Sequence, residues 1–153
     1  MAAYFLDSSA LVKRYAAETG TVWMTGLIEP AAGNLIYLAR IAGVETVAAI
    51  ARKRKGHLLS SSDAATALAT LRKELAGLFL IVEVTMALLT DAMDLAEKHA
   101  LRGYDAVQLA AALEANAERS RTSLPPLVLV TGDGDLLTAA AAEGLPTDNP
   151  NSH

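Results

Sequence analysis

The sequence predicts an α/β protein in which a mostly parallel sheet is covered by helices. Three observations lead there. Short apolar runs, Ala3 to Leu6, Phe79 to Val84 and Leu127 to Val130, show little polar alternation and read as strands buried on both faces, the habit of parallel sheets lying between helices. Helical patterns separate these runs along the chain, as crossover connections require. Close behind two of the runs stand carboxylates, Asp7 and Asp133, at the strand ends outside which sites form in such sheets.

Taken in order, Ala3 to Leu6 is a strand that ends at Asp7-Ser-Ser, whose side chains can cap a helix beginning near Ala10 and passing Leu11, Val12 and Tyr15. A second helix runs from about Thr19, with Val22, Trp23, Leu27 and Ile28 at helical spacing, until Pro30 and Gly33 break it. Leu35 to Leu38 is a short strand. From Arg40 to Lys55 the pattern is helical again, with Ile41, Val44, Ala48 and Ala51 as the expected buried stripe, Glu45 on its border and Gly56 at its end. Ser60 and Asp63 resemble a capping box for a helix that reaches about Leu75 and stops at Gly77. Phe79 to Val84 is expected to be a buried strand, Met86 to Ala100 a helix, and a further helix follows Arg102-Gly103 to roughly Glu118. Ser120 to Pro126 is a loop. Leu127 to Val130 is the clearest strand, and Asp133 caps a final alanine-rich helix to Glu143. With no internal repeat and no low-complexity linker, residues 1–146 read as a single domain, and residues 147–153 as a C-terminal tail expected to fray.

At 153 residues the chain is long enough to bury a core without staples, and it contains no cysteine, so neither disulfides nor thiolate ligands are available. That composition is compatible with a reducing cytosol. No run of about 18 uninterrupted apolar residues offers a membrane span, and the first residues lack the basic start and long apolar region of a signal peptide. The expectation is a soluble, cytoplasmic protein. Its net charge of −4 says little about nucleic acid: setting aside four acids singled out below, the remaining 13 acidic residues balance 13 Lys and Arg.

Those four are Asp7, Glu45, Asp105 and Asp133. Asp105 is the most anomalous, because helical spacing puts it in line with Leu109 and Leu113 on the stripe that should pack inward. An isolated carboxylate there would cost several kcal/mol or take up a proton. Singly, Asp7 and Asp133 are explained as helix caps and Glu45 as a solvated border residue; jointly, the four point to a shared cation. Hard oxygen ligands select magnesium, with manganese as the alternative, over zinc. Such an ion can position and activate water for attack on phosphorus, so the chemistry leads to metal-dependent phosphoryl transfer or phosphodiester hydrolysis.

The segments Leu6-Asp7-Ser8-Ser9-Ala10-Leu11-Val12-Lys13, Val44-Glu45, Leu101-Arg102-Gly103-Tyr104-Asp105-Ala106-Val107-Gln108-Leu109-Ala110 and Val130-Thr131-Gly132-Asp133-Gly134-Asp135-Leu136-Leu137 resemble the four acidic motifs of PIN domains. Their order and spacing are similar to those of the VapC toxins of toxin–antitoxin pairs, and the resemblance spans nearly the whole chain. It implies a three-layer α/β/α sandwich on a five-stranded, mostly parallel sheet and a magnesium-dependent endoribonuclease. It also implies inhibition by a small VapB-like antitoxin whose tail fills the active-site groove, and a homodimer. Carried over by position, Asp7 and Asp105 are the primary metal ligands, Glu45 and Asp133 complete the acidic site, and Ser9 supports the first aspartate. Gly134 stands where a larger, often basic residue is common, and Asp135 adds a fifth acid; Asp133 is favoured over Asp135 because it is nearer the strand.

Other features divide between two readings. Arg52-Lys53-Arg54-Lys55 suits phosphate contacts and equally suits the C-terminal end of a helix. Trp23, Met24, Leu27 and Ile28 fit a core or a partner surface. His57 and His99 have no metal-ligand spacing. A haloacid-dehalogenase-type phosphatase would need more chain after Asp133-Gly134-Asp135, and the phosphate-binding Gly-x-x-x-x-Gly-Lys pattern is absent. The competing functions are a PIN-like scaffold without catalysis and a metal-dependent nuclease acting on DNA.

Overall fold

The computed structural model describes residues 1–153. Strand β1 (Ala3–Leu6) lies at the centre of one sheet, and β2 (Leu35–Ala39), β3 (Leu80–Val82), β4 (Val128–Val130) and β5 (Thr147–Asp148) complete it in the order β3-β2-β1-β4-β5, all parallel. Phe5 pairs with Leu129 and Leu6 with Val130. Successive strand residues point to opposite faces, so this register sends Phe5 and Leu129 into one core and Leu6 and Val130 into the other.

On the Leu6 face pack α1 (Ser8–Leu11), which runs on into a 3-10 turn (Val12–Arg14), α2 (Thr21–Ile28), α3 (Ile41–Lys55) and α4 (Ser61–Gly77). The Phe5 face is covered by α5 (Met86–His99), α6 (Gly103–Arg121) and α7 (Gly134–Ala142). The result is the expected three-layer sandwich. From β1 the chain builds outward through β2 and β3, then returns to the other side of β1 with β4. The switch point therefore lies between the carboxyl ends of β1 and β4, where an open α/β sheet leaves a crevice. No helix is long and apolar enough to cross a membrane.

Four expectations are corrected. Residues 147–152 do not fray: Thr147 and Asp148 pair with Leu129 and Val130, Pro150 is buried, and Asn151 Oδ1 accepts from Lys13 Nζ at 2.8 Å. Gly20, at φ +85°, lets the chain pass the same turn, since a Cβ there would lie 2.1 Å from the Pro150 carbonyl oxygen. In α3 the buried residues are Ala42, Gly43, Thr46 and Ile50, while Val44 is 70% exposed. Small side chains let α3 approach α4 closely, with a Cβ at Gly43 coming within 3.1 Å of Leu75, so the helix turns its glycine rather than its valine inward. The third strand is short and lies at the sheet edge, which leaves Leu80 exposed and only Phe79 of that run buried. Val22 points to solvent from α2, which buries Met24, Leu27 and Ile28 instead.

Candidate active site

Asp7 leaves β1 with extended backbone and turns its carboxylate over the start of α1. One oxygen accepts from the Ser9 hydroxyl at 2.7 Å and the Ala10 amide at 2.9 Å; the other accepts from the Thr131 hydroxyl at 2.6 Å. Capping is thus part of its role, but caps usually face water, and Asp7 is only 3% exposed. Burial outweighs the three donors and pushes its carboxyl up to about 6, with the Asp105 charge adding in the same direction.

Just beyond β4, Thr131 and Gly132 lock this corner. The Thr131 hydroxyl accepts from the Asp133 amide at 3.0 Å, and Ser9 Oγ accepts from the Gly132 amide at 2.9 Å. Asp133 then caps α7, its Oδ1 accepting from the Leu136 amide at 2.9 Å. Of the two candidate acids here, Asp133 is the inward one, half-buried beside Arg102, whereas Asp135 is exposed.

Glu45 reaches the same edge from α3. Its Oε1 accepts from Gln108 Nε2 at 2.7 Å and its Oε2 from Ser8 Oγ at 3.1 Å. Half-buried, it is held above the ordinary glutamate range by desolvation, again with a contribution from Asp105. Asp105 sits in the first turn of α6, above the buried Leu109. Desolvation raises its carboxyl first, and then the charge of Asp133, with Asp135 behind. Asp105 is therefore the hub: its charge is felt at Asp7 and Glu45, and it feels that of Asp133. Residues drawn from β1, α3, α6 and the β4–α7 turn share one electrostatic site.

Against this negative charge stands Arg102. Its Nε donates to Asp105 at 3.1 Å and its NH2 group to Asp133 at 2.8 Å, from a side chain 76% exposed to solvent. The sequence reading assigned roles to neither Arg102 nor Gln108 nor Thr131. Arg102 was legible as a cation three residues before Asp105. Gln108, 1% exposed and with its Oε1 unpartnered, was legible by the reasoning that exposed Asp105, a polar group within an apolar helical run. Thr131 carried no local signal, because its partner Asp7 is 124 residues away. His99 is engaged elsewhere, meeting Glu143 at 2.7 Å beside Lys98, and ties α5 to α7.

No three acidic or histidine side chains converge tightly enough to cage an ion directly. The donor set still fits a hard divalent cation. It is all oxygen, three of its carboxyls are raised by burial and mutual repulsion, and the one paired counter-charge is on an exposed side chain. Magnesium keeps several waters and takes one or two carboxylates, which suits an open cluster of this kind.

Comparison with known proteins places the fold and the family. The chain is 35% identical over 143 residues to ribonuclease VapC45 of Mycobacterium tuberculosis, covering 92% of this chain and 90% of that protein. Among solved structures, VapBC2 from Rickettsia felis, bound to a DNA fragment from its promoter, superposes with a TM-score of 0.61 at 14% identity, over 96% of this chain and 98% of that one. VapC20 of M. tuberculosis, described as a sarcin-ricin-loop-cleaving toxin, gives a TM-score of 0.62 at 17% identity, over 93% and 95%. Residues 4–142, which include all four acids, match the PIN domain, and the chain belongs to the PIN domain family.

Proposed function

We propose that this protein is a divalent-cation-dependent endoribonuclease, the toxin of a toxin–antitoxin pair, folded as a single domain and acting on RNA in the cytoplasm. The observation that carries the reading is the convergence of the four acids at the switch point of the sheet, where the Thr131 hydroxyl links Asp7 to the Asp133 amide, Arg102 bridges Asp133 and Asp105, and Ser8 and Gln108 hold Glu45 between α1 and α6. Similarity to a ribonuclease over nine-tenths of both chains supports RNA over DNA. The family also supports a VapB-like antitoxin as partner and assembly as a homodimer.

Asp7 and Asp105 would hold magnesium, or manganese in its place, and Glu45 and Asp133 would complete the acidic site. When bound, the cation supplies charge neutralisation at the phosphate and acidifies a water for attack. The chain's own residues do the rest. Ser9, Thr131 and the Ala10 amide fix both oxygens of Asp7, so its carboxylate needs no reorganisation. Gln108 and Ser8 orient Glu45, whose raised carboxyl is suited to accept the proton lost by the attacking water. Arg102 neutralises Asp105 and Asp133 in this structure; a bound cation would take over that role and leave the exposed guanidinium available to the substrate's phosphates.

The test is cleavage of a mixed RNA pool and of single-stranded DNA by the purified protein in magnesium, in manganese and in EDTA, beside Asp7→Asn. RNA cleavage that needs the cation and falls at least ~100-fold in the variant, with its far-UV spectrum unchanged, is the expected result. Full activity of Asp7→Asn, or cleavage undiminished by EDTA, would refute the assignment.

A further inference from the structure

The stripe Val44, Ala48, Arg52 recurs every fourth residue of α3 and runs away from the acidic cluster. It does not face the core. It lines a groove of about 480 Å³ between α1, α3 and the start of α6, which shares Ser8 and Glu45 with the acidic site and is bounded by Tyr104. Val44 is 70% exposed and Tyr104 64% exposed. An apolar floor, small at Ala48 and flanked by an exposed aromatic ring, has the form that accepts a flat hydrophobic group.

Charge specifies the occupant further. Arg52 lies seven residues beyond Glu45 on the same helix, roughly 10 Å along its axis, and forms no ion pair, although Lys53 beside it is bound to Glu18 at 2.8 Å. The groove thus has the acidic site at one end and an unpaired guanidinium at the other. A nucleotide satisfies all of these features, since it offers a base for the floor and ring and a phosphate for the guanidinium.

We propose that this groove is a nucleotide subsite for the single-stranded RNA residue next to the scissile phosphate. Its base lies on Val44 and Ala48 against the Tyr104 ring, and its outer phosphate meets Arg52. Only an unstacked base can enter, so the subsite selects single-stranded or looped RNA over a duplex. The inference rests on the nuclease reading above and deepens it.

The test uses a short single-stranded RNA that the parent cleaves in magnesium, with binding measured by fluorescence anisotropy in the Asp7→Asn background. Tyr104→Ala is expected to weaken binding by about 5- to 100-fold, while Tyr104→Phe, which keeps the ring, binds normally. Arg52→Ala is expected to weaken binding and lower the slope of log affinity against log salt by about 0.7. An abasic substitution at the nucleotide beside the cut should cost affinity in the parent background and nothing further in Tyr104→Ala. The three side chains substituted are exposed or at the groove rim, and Val44→Glu, at a 70% exposed position, provides a second folded variant expected to repel RNA. Parental RNA affinity in Tyr104→Ala and Arg52→Ala, with cleavage by the parent intact, overturns the subsite and leaves the nuclease reading standing. So does parental RNA affinity accompanied by loss of a co-purifying protein partner, which assigns the groove to protein. Failure of the parent to bind or cleave any RNA overturns both.

Discussion

Asp7→Asn is expected to make the cation-free protein more stable while destroying its activity. Asp7 is 3% exposed and its carboxyl is pushed from the ordinary 3.8 up to about 6, mainly by burial. That gap corresponds to about 3 kcal/mol of ionisation penalty in the folded state. The native protein holds this proton over a pH range where the unfolded chain has released it. Stability from this group is therefore fully present below about pH 4 and is lost as pH rises through 6. A neutral amide removes the penalty and keeps most of the contacts. Its oxygen still accepts from Ser9 and Ala10, and its nitrogen can donate to the Thr131 hydroxyl, which would turn its own proton toward Ser9 Oγ, 3.4 Å away. The poorer Thr131 geometry offsets part of the gain, leaving about 1–2 kcal/mol, or roughly 2–8 °C in Tm for a chain of this length. The assay is thermal unfolding in EDTA from about pH 4 to 8. Comparing parent and variant cancels the contributions of Glu18, Glu74 and Glu143, whose carboxyls lie below their usual range. The expected difference grows with pH through about 6 and then levels. Adding magnesium should raise the parent's Tm and leave that of the variant nearly unchanged. A variant less stable than the parent in EDTA at neutral pH, or a difference flat across the range, would show that burial does not set the Asp7 charge state.

Other substitutions separate the parts of the site. Arg102→Gln removes the counter-charge of Asp105 and Asp133, so calorimetric titration should find magnesium binding about 2- to 5-fold tighter, with stability little changed because the side chain is exposed. Gln108→Leu takes the donor from Glu45 Oε1, so the acidic limb of the pH–rate profile should move to higher pH; an unmoved limb would exclude Glu45 as the titrating base. Proton competition at Asp7 should weaken magnesium affinity as pH falls below about 6, and affinity independent of pH there would remove Asp7 from the ligand set. Lys13→Met severs the contacts of Lys13 with Glu18, the Thr19 carbonyl and Asn151, and is expected to lower stability by about 1–3 kcal/mol in chemical denaturation.

What could be read from the chain follows from where each signal is stored. Asp7 and Asp133 were legible because a carboxylate just after an apolar strand marks the sheet edge, and Asp105 because helical spacing set it above Leu109. Parallel order followed from strands alternating with helices. The face of α3 was misread because hydrophobicity ranks Val44 above Gly43 and Thr46, whereas close packing on Leu75 selects the smaller side chain. β5 was missed because two residues, Thr147 and Asp148, make no apolar run; its pairing with β4 and the contacts of Pro150 and Asn151 are long-range. The clamp on Asp7 by Thr131 and the bridge made by Arg102 likewise depend on distant segments meeting at the switch point.

The most direct measurement is the rate of cleavage of one defined single-stranded RNA by the parent and by Asp105→Asn, each with magnesium and after chelation. Asp105 couples the other three acids, so its neutral isostere should reduce cleavage to the chelated level while the protein remains folded. Cleavage by Asp105→Asn at the parent rate would contradict the assignment of these four carboxylates to one catalytic site.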